Sequence, residues 1–407
     1  MSQIEKLITD LAPAGVIYKQ LWEITTWDKR FNAVDNSKQP RVKKYHYLLA
    51  SELKPLISEE GTIRLLTTNT SDVWTTEELA GDKVSNGEVI AIPWGGNPNV
   101  QYYNGKFLTA DNRIAVSNDT EVLNTKYLYY YLLNNLDLLG SFYRGSGIKH
   151  PSMAKVLDMK IPLPPISIQR SIVKMLDSFI DLESELKFEL KTRHGQYDHY
   201  RNKLFDFENE EVQILDLGEL ARFTYGFTTK AKDTGQYRFL RITDITDGGN
   251  LSMENPKYVD DSEVDTKYLI KKGDLLVART GATYGKTLYV DSEMKAVYAS
   301  FLIKIDVNND VILPRYYWHF TKSSSYWNQA NNLMNGGGQP QFNANVLKKL
   351  KVPVPSLEAQ KNIIAILDRF DKLVYDTSEG LPAEISARSK QYEYYRHKLI
   401  AFQELPV

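Results

Sequence analysis

Internal duplication constrains this chain more than any other feature. Residues 161–182 read IPLPPISIQRSIVKMLDSFIDL and residues 352–373 read VPVPSLEAQKNIIAILDRFDKL, which align without a gap at an offset of 191. Pro162 pairs with Pro353, Gln169 with Gln360, Leu176 with Leu367, Asp177 with Asp368 and Phe179 with Phe370. A second block follows at an offset of 195, QYDHYRNKLFDF (196–207) against QYEYYRHKLIAF (391–402). The later copy therefore carries four extra residues near Gly380 and Pro382. A fixed-period repeat means one structural unit used twice, each copy burying what the other exposes.

The repeat extends beyond these blocks. VIYKQLWEI (16–24) resembles VQILDLGEL (212–220), GEVIAIPWG (87–95) resembles GDLLVARTG (273–281), and GSGIKHPSMAKV (145–156) stands where GGGQPQFNANVL (336–347) stands. The chain thus divides into variable units at 15–160 and 211–351, helical units at 161–210 and 352–407, and a short helix at 1–14 completing the pseudo-repeat. The opening IEKLITDL echoes the ends of both helical units, which suggests a circular arrangement with the termini close together.

Each helical unit opens with prolines at alternate positions, which suits an extended edge strand. A stripe at steps of three and four follows: Leu176, Phe179, Glu183, Leu186, Leu190, Arg193, Tyr197, Tyr200, Leu204 and Phe207 in the first copy. The second holds Leu367, Phe370, Val374, Leu381, Ile385, Arg388, Tyr392, Tyr395 and Leu399. Such spacing puts one face of each helix in contact with a partner, and the copies are each other's partner. Gly380 and Pro382 break the second helix, with Ser378 or Thr377 as candidate cap of its restart. Arg193 and Arg388 either reach out to water or fix register.

The variable units read as mixed α/β. Strands are expected at Val89–Pro93, Arg113–Val116, Phe239–Ile242, Leu275–Ala278 and Ser300–Ile305, and helices at about 124–138 and 314–330. Turns are expected at Asn-Gly 86–87 and 104–105 and at Asp-Gly-Gly 247–249. The fold class is α+β, with a pseudo-twofold internal repeat.

Composition excludes several chemistries. With no cysteine there is no disulfide scaffold, Cys-ligated zinc or thiol catalysis. Neither a basic n-region nor an apolar run of about 18 residues is present, so no signal peptide or membrane span is expected, and the cytoplasm is the expected location. Net charge is −1, yet Arg and Lys gather beside aromatics at 41–47 and 222–232. Cations beside Tyr, Asn and Gln suit phosphates and base edges. GATYGKT (281–287) approaches a phosphate-binding P-loop, but Gly281 and Gly285 enclose three residues where the motif needs four. Its backbone can still offer N–H groups to a phosphate. Asp265 with Lys267, beside Glu263, and Glu293 with Lys295 loosely resemble a metal nuclease. The Asn/Asp-Pro-Pro-aromatic loop of adenine methyltransferases is missing at Leu163-Pro164-Pro165-Ile166. The six histidines (46, 150, 194, 199, 319, 397) form no metal-ligand pair, and no metal site is expected.

IPLPPISIQRSIVKMLDSF, VPVPSLEAQKNIIAILDRFDKLV, SEGLPAEISARSKQYEYYRHKL and GDLLVARTGATYGKT together resemble the specificity subunit of Type I restriction–modification enzymes, over nearly the whole chain. The resemblance implies two target-recognition domains, 15–160 and 211–351, each reading one half of a split, asymmetric double-stranded DNA site. It implies conserved helical regions, 161–210 and 352–407, pairing as an antiparallel coiled coil. It also implies a non-catalytic chain that binds no cofactor and docks two modification subunits, with restriction subunits joining them. S-adenosylmethionine would then belong to the modification subunit, and ATP and Mg to the restriction subunit. Candidate DNA contacts are Arg41, Lys43, Lys44, Trp94, Asn97, Arg144 and Lys149 in the first domain. In the second they are Tyr225, Thr228, Lys230, Arg241, Arg279, Thr283, Tyr284, Lys286, Gln339 and Gln341. IPWGGNPNVQYYNGK (92–106) departs from the Gly-Ala-Thr-Tyr-Gly-Lys pattern, which sets the first domain's contacts apart. The alternatives are a metal-dependent nuclease and a coiled-coil protein adaptor without DNA specificity.

Overall fold

The computed structural model describes residue 6 and residues 11–207, 212–334, 342–376 and 378–406, with the side chain of Glu263 left aside. The chain forms two compact units, one of residues 1–184 and 387–407, the other of residues 185–386. This division differs from a linear series of domains, because residues near both ends share a unit. Val16 bridges Glu404, Val16 N–H donates to Gln403 O, and Leu405 N–H donates to Val16 O. Of the expected helix at 1–14, all but Lys6 and residues 11–14 lie outside the described residues.

In the first unit, Ile17–Gln20 pairs antiparallel with Lys160–Leu163, where Pro162 faces Tyr18. A seven-stranded sheet follows in the order Thr25–Trp27, Asn112–Ser117, Ser85–Pro93, Gln101–Ala110, Ile63–Leu66, Trp74–Thr75, with Tyr47–Leu48 also on Gln101–Ala110. The two Asn-Gly dipeptides make no turns. Gly87 lies opposite Gly105 within the ladder between Ser85–Pro93 and Gln101–Ala110. Continuous cross-strand pairing overrides the local turn preference there, and glycine accommodates the positive φ at both positions.

The second unit repeats the entry strand pair, Gln213–Asp216 with Lys351–Val354. Its sheets differ: Ala221–Tyr225, Leu302–Val307, Leu275–Ala278 and Thr287–Tyr289 form one, and Tyr258–Val259, Tyr237–Leu240 and Ala296–Tyr298 form another. Two strand expectations shift. Ile242 opens a 3-10 turn whose Asp244 carboxylate accepts from Arg241 N–H, so the strand stops at Leu240. Ser300 donates to Phe227 O outside the strand that begins at Leu302. The turn at 247–249 is present, with Gly249 N–H donating to Thr246 O.

Five helices matter for function: α1 (Thr125–Asn134), α2 (Ile166–Leu204), α3 (Pro314–Phe320), α4 (Leu357–Tyr375) and α5 (Leu381–Ile400). The expected run at 124–138 pauses at Asn135, and that at 314–330 breaks after Phe320 and resumes as Ser324–Met334. Residues 166–184 of α2 belong to the first unit, where Phe179 stacks on Tyr395 at 5.4 Å and 15°. Residues 185–204 belong to the second. There His194 meets Tyr375, Tyr197 meets both Tyr375 and Phe370, and Tyr200 stacks on Phe370, so that pairing is antiparallel. Leu176, Tyr197, Leu367, Val374, Leu381 and Leu399 are buried. Leu190, Leu204, Ile385 and Tyr392 are half-buried, and Tyr200 is 46% exposed despite its stack.

Asp376 ends α4 as its C-cap, and its side chain orders the gap before α5. The Asp376 carboxylate accepts from Ser378 N–H, Ser378 Oγ and Glu379 N–H; Thr377 lies outside the described residues. A Cβ on Gly380 would sit 2.6 Å from both Asp376 O and Lys372 O, so no other residue fits. Arg193 and Arg388 each donate to the glutamine three residues on, Gln196 and Gln391, along their own helix.

Each unit is joined to its helix by the same buried device. Gln169 is 0% exposed; its Oε1 accepts from Asn124 N–H, and its Nε2 donates to Val122 O and Pro164 O. Gln360 is equally buried, accepts from Leu313 N–H and donates to Val311 O and Pro355 O. Beside it, Tyr127 OH donates to Pro162 O and Tyr316 OH to Pro353 O. Asp177 takes Lys126 at 2.8 Å and the Tyr130 hydroxyl. Asp368 takes Arg315 at 2.8 Å and His319 at 2.7 Å. The second unit adds Asp371, which holds Lys322 at 2.7 Å and the Tyr197 hydroxyl at 3.2 Å. Burial pulls Lys322 down to about 7 against the opposing effect of Asp371.

Replacing either glutamine by leucine leaves one N–H and two carbonyls buried without partners, which costs about 2–5 kcal/mol. Urea unfolding of Gln169→Leu and Gln360→Leu measures it. His319 is held down to about 4, chiefly by burial, against the hydrogen bond it makes to Asp368. Its neutral form is favoured in the fold, so stability falls as pH drops from about 6.5, where the unfolded imidazole protonates, towards 4. His319→Gln should lack this component: the stability gap between wild type and variant shifts by about 3 kcal/mol between pH 7 and pH 4, read by thermal unfolding.

Candidate nucleic-acid interface

In the first unit, the strand Ser85–Pro93 runs out into the loop 94–99, and the hairpin Tyr143–Arg144/His150–Pro151 closes over it. Tyr143 OH donates to Pro93 O at 2.9 Å, Gly96 N–H donates to Lys149 O at 3.0 Å, and His150 Nδ1 lies 2.7 Å from Trp94 O. Gly145 makes this closure possible, since a Cβ there would lie 2.6 Å from Ile148 O. Trp94, Asn97, Arg144 and Lys149, drawn from two separate sequence motifs, thus share one surface; the last three are exposed.

Arg41, Lys43 and Lys44 are exposed on a neighbouring segment. Val42 bridges Trp27, Lys43 N–H donates to Trp27 O, and the Lys43 ammonium lies over Tyr45 at 5.7 Å. Sequence reasoning missed Lys29, Arg113 and His150, all of which meet the Trp94 ring. Arg113 lies 4.3 Å and Lys29 5.2 Å from its centroid, and the His150 ring 5.4 Å. The run Trp27-Asp28-Lys29-Arg30 carried the same cation-beside-aromatic signal as the clusters singled out. Arg113 carried none, being a lone cation in an apolar strand. It is held by Asp28 at 3.0 Å, and Asp28 also accepts from Ile114 N–H. Burial raises the Asp28 carboxyl, against the opposing charge of Arg113.

In the second unit, the strand Leu275–Ala278 leads into Arg279 and the 3-10 turn Gly281–Thr283. The turn closes on itself: Tyr284 N–H donates to Gly281 O, Gly285 N–H to Ala278 O and Lys286 N–H to Thr283 O. These three amides are used internally, so the loop does not offer them to a phosphate. Tyr284 packs against Trp327 and Phe342, and its hydroxyl donates to Asn331. Thr283 Oγ1 is buried without a partner among the described residues. Lys286 is ion-paired with Asp247, and Arg241 is tied to Asp244 and Asn255 O. A cavity of about 130 Å³ opens beside Lys286, lined also by Arg201, Lys322 and Trp327.

Arg279 is half-buried, and its guanidinium donates to Ser300 O at 3.3 Å. Its guanidinium lies 5.3 Å from the Tyr225 ring, and its carbonyl accepts from Phe342 N–H. Tyr225 is 40% exposed and its hydroxyl accepts from Ala344 N–H. The loop after the strand is therefore tied to the segment before the next helix, as in the first unit. Thr228 and Lys230 are exposed on the strand's continuation. Gln339 and Gln341 lie outside the described residues.

Asp265 is paired with Lys267 at 2.9 Å and caps its own turn, while Glu293 is exposed. Among the described residues there is no group of three or more His, Asp or Glu able to hold a metal ion. No helix among them is long and apolar enough to cross a membrane.

A family model described as the Type I restriction modification DNA specificity domain matches residues 43–192 and again residues 208–387. A chain of Haemophilus influenzae named as a type I restriction enzyme specificity subunit is 33% identical over 335 residues, 78% of this chain and 83% of that one. A type I restriction enzyme specificity subunit of Escherichia coli is 31% identical over 317 residues, 71% of this chain and 74% of that one. The S subunit structure from M. genitalium superposes with a TM-score of 0.60 at 17% identity, over 94% of this chain and 96% of that one. A chain from a structure of type I restriction–modification assembly gives 0.58 at 14% identity, over 95% and 98%.

Proposed function

Since this chain belongs to the Type I restriction–modification DNA specificity family, we propose that it reads a split, asymmetric double-stranded DNA site, residues 15–160 contacting one half and residues 211–351 the other. The observation that carries this reading is the double match to the family model within one chain, at 43–192 and 208–387. Each matched segment contains its own loop cluster, and the two clusters differ in residues. Trp94, Asn97, Arg144 and Lys149 stand in one; Tyr225, Arg279, Thr228 and Lys230 stand in the other. Different side chains on similar supports read different bases.

The chain itself performs no bond-breaking step. It directs adenine methylation or cleavage by partners: two modification subunits that bind S-adenosylmethionine, and restriction subunits that use ATP and Mg. The two helical regions are the docking ground for these partners, and the complex works in the cytoplasm. The charge of −1 leaves the isolated chain with modest affinity for DNA, so the partners supply further phosphate contacts.

Methylome sequencing of a host carrying this chain with its modification subunit, against a host without the chain, tests the reading. The expected result is an N6-methyladenine motif of two parts with a constant gap. Exchanging residues 211–351 for another member's domain should replace one half of the motif only. A complex that forms but methylates no chain-dependent motif would favour a protein adaptor. Lys149→Ala and Arg144→Ala should each lower the salt dependence of DNA binding by about one counterion per removed contact, measured by titration at several salt concentrations.

A further inference from the structure

We infer that Arg113 is a positioning residue for target reading by the first domain: through its stack on Trp94 it sets the pose of the loop 94–97. This rests on the reading that places that loop at DNA. Arg113 lies opposite Ile92 across the ladder, and Trp94 follows two residues later, on the same face. The guanidinium comes 4.3 Å from the indole centroid and 5.9 Å from the Tyr47 ring.

The pair beneath the loop is buried. The Asp28 side chain is 0% exposed and the Arg113 side chain 9%. Asp28 binds one end of the guanidinium at 3.0 Å, while Arg113 Nη1 also donates to Asn112 O. The Nε–H is buried and has no hydrogen-bond partner among the described residues. A buried ion pair stabilises little in net terms and is often replaceable by apolar residues. Leaving a buried donor unmade is costly as well. Such an arrangement is poor as a stabilising device but well suited to fixing a planar cation in one orientation, against which an indole settles.

Trp94 is where the loop's parts converge. Its backbone carbonyl lies against His150 Nδ1, its ring meets Lys29 and His150, and its backbone N–H donates to Asp111 O at 2.7 Å. Asn97 and Lys149 are carried on the same two segments, joined by the bond from Gly96 N–H to Lys149 O. Moving the indole therefore moves the groups that face the ligand. Lysine cannot take over, because its ammonium is a point charge without the planar surface that stacks.

The test uses the full chain in complex with its modification subunit, with discrimination measured separately at the two half-sites assigned by domain exchange. Three variants are compared: Arg113→Lys, the double replacement Asp28→Asn with Arg113→Met, whose Asn Oδ1 still accepts from Ile114 N–H, and Trp94→Ala. The double replacement removes both charges together, so neither is left buried alone. The inference expects discrimination at the first half-site to fall about tenfold in both Arg113 variants. The second half-site should stay sharp, and the thermal midpoint of the double variant should stay near wild type. A first half-site as sharp as wild type in both, or an equal loss at both half-sites, overturns it. Loss in Trp94→Ala alone overturns the role of Arg113 while keeping the loop at DNA. A first half-site left sharp by Trp94→Ala removes the loop from DNA and the inference with it.

Discussion

The architecture hangs on two buried amides. Gln169 and Gln360 each satisfy one backbone N–H and two carbonyls at the point where a variable unit meets its helix. A primary amide is suited to this, since it offers donors and an acceptor on one planar group. Around it, the same supporting contacts recur: a tyrosine hydroxyl on a proline carbonyl, and an aspartate on the helix taking a cation from the unit. Everything else in the variable units is free to differ because this junction does not. One unit builds a seven-stranded sheet and the other splits its strands between two sheets, yet both meet their helix through the same glutamine, tyrosine and aspartate contacts.

Much of this was legible from the letters. The paired identities Gln169/Gln360 and Asp177/Asp368 are the junction itself, and the alternating prolines marked the strands Lys160–Leu163 and Lys351–Val354. The helix break at Gly380 was legible too; the gap before α5 is ordered by the Asp376 carboxylate, which accepts from three donors of Ser378 and Glu379. The Asn-Gly dipeptides misled because local turn chemistry yields to a long ladder, and nothing local announces that Gly87 will face Gly105.

The candidate interface was less legible, for a physical reason. Composition can pick out cations beside aromatics, as at 41–47, but not which cations are already engaged. Arg241 and Lys286 looked available and are tied to Asp244 and Asp247. Arg113 looked structural, and Asp28, its partner, stands far away in sequence, so only the fold brings them under Trp94. The closed turn at 281–286 shows the same limit. A glycine pattern suggests exposed amides, and only the geometry reveals that those of Tyr284, Gly285 and Lys286 already donate to carbonyls of the same stretch.

The way each junction is closed within its own segment has a bearing on inheritance. Every donor and acceptor of the first lies between residues 122 and 177, and those of the second lie between residues 311 and 371 apart from the Tyr197 hydroxyl on Asp371. A genetic crossover falling in the duplicated stretch that encodes the start of a helix would exchange the upstream module while rebuilding a matched seat for it. New specificities could then arise by recombination between relatives, in a single event, with no compensating change in the helices.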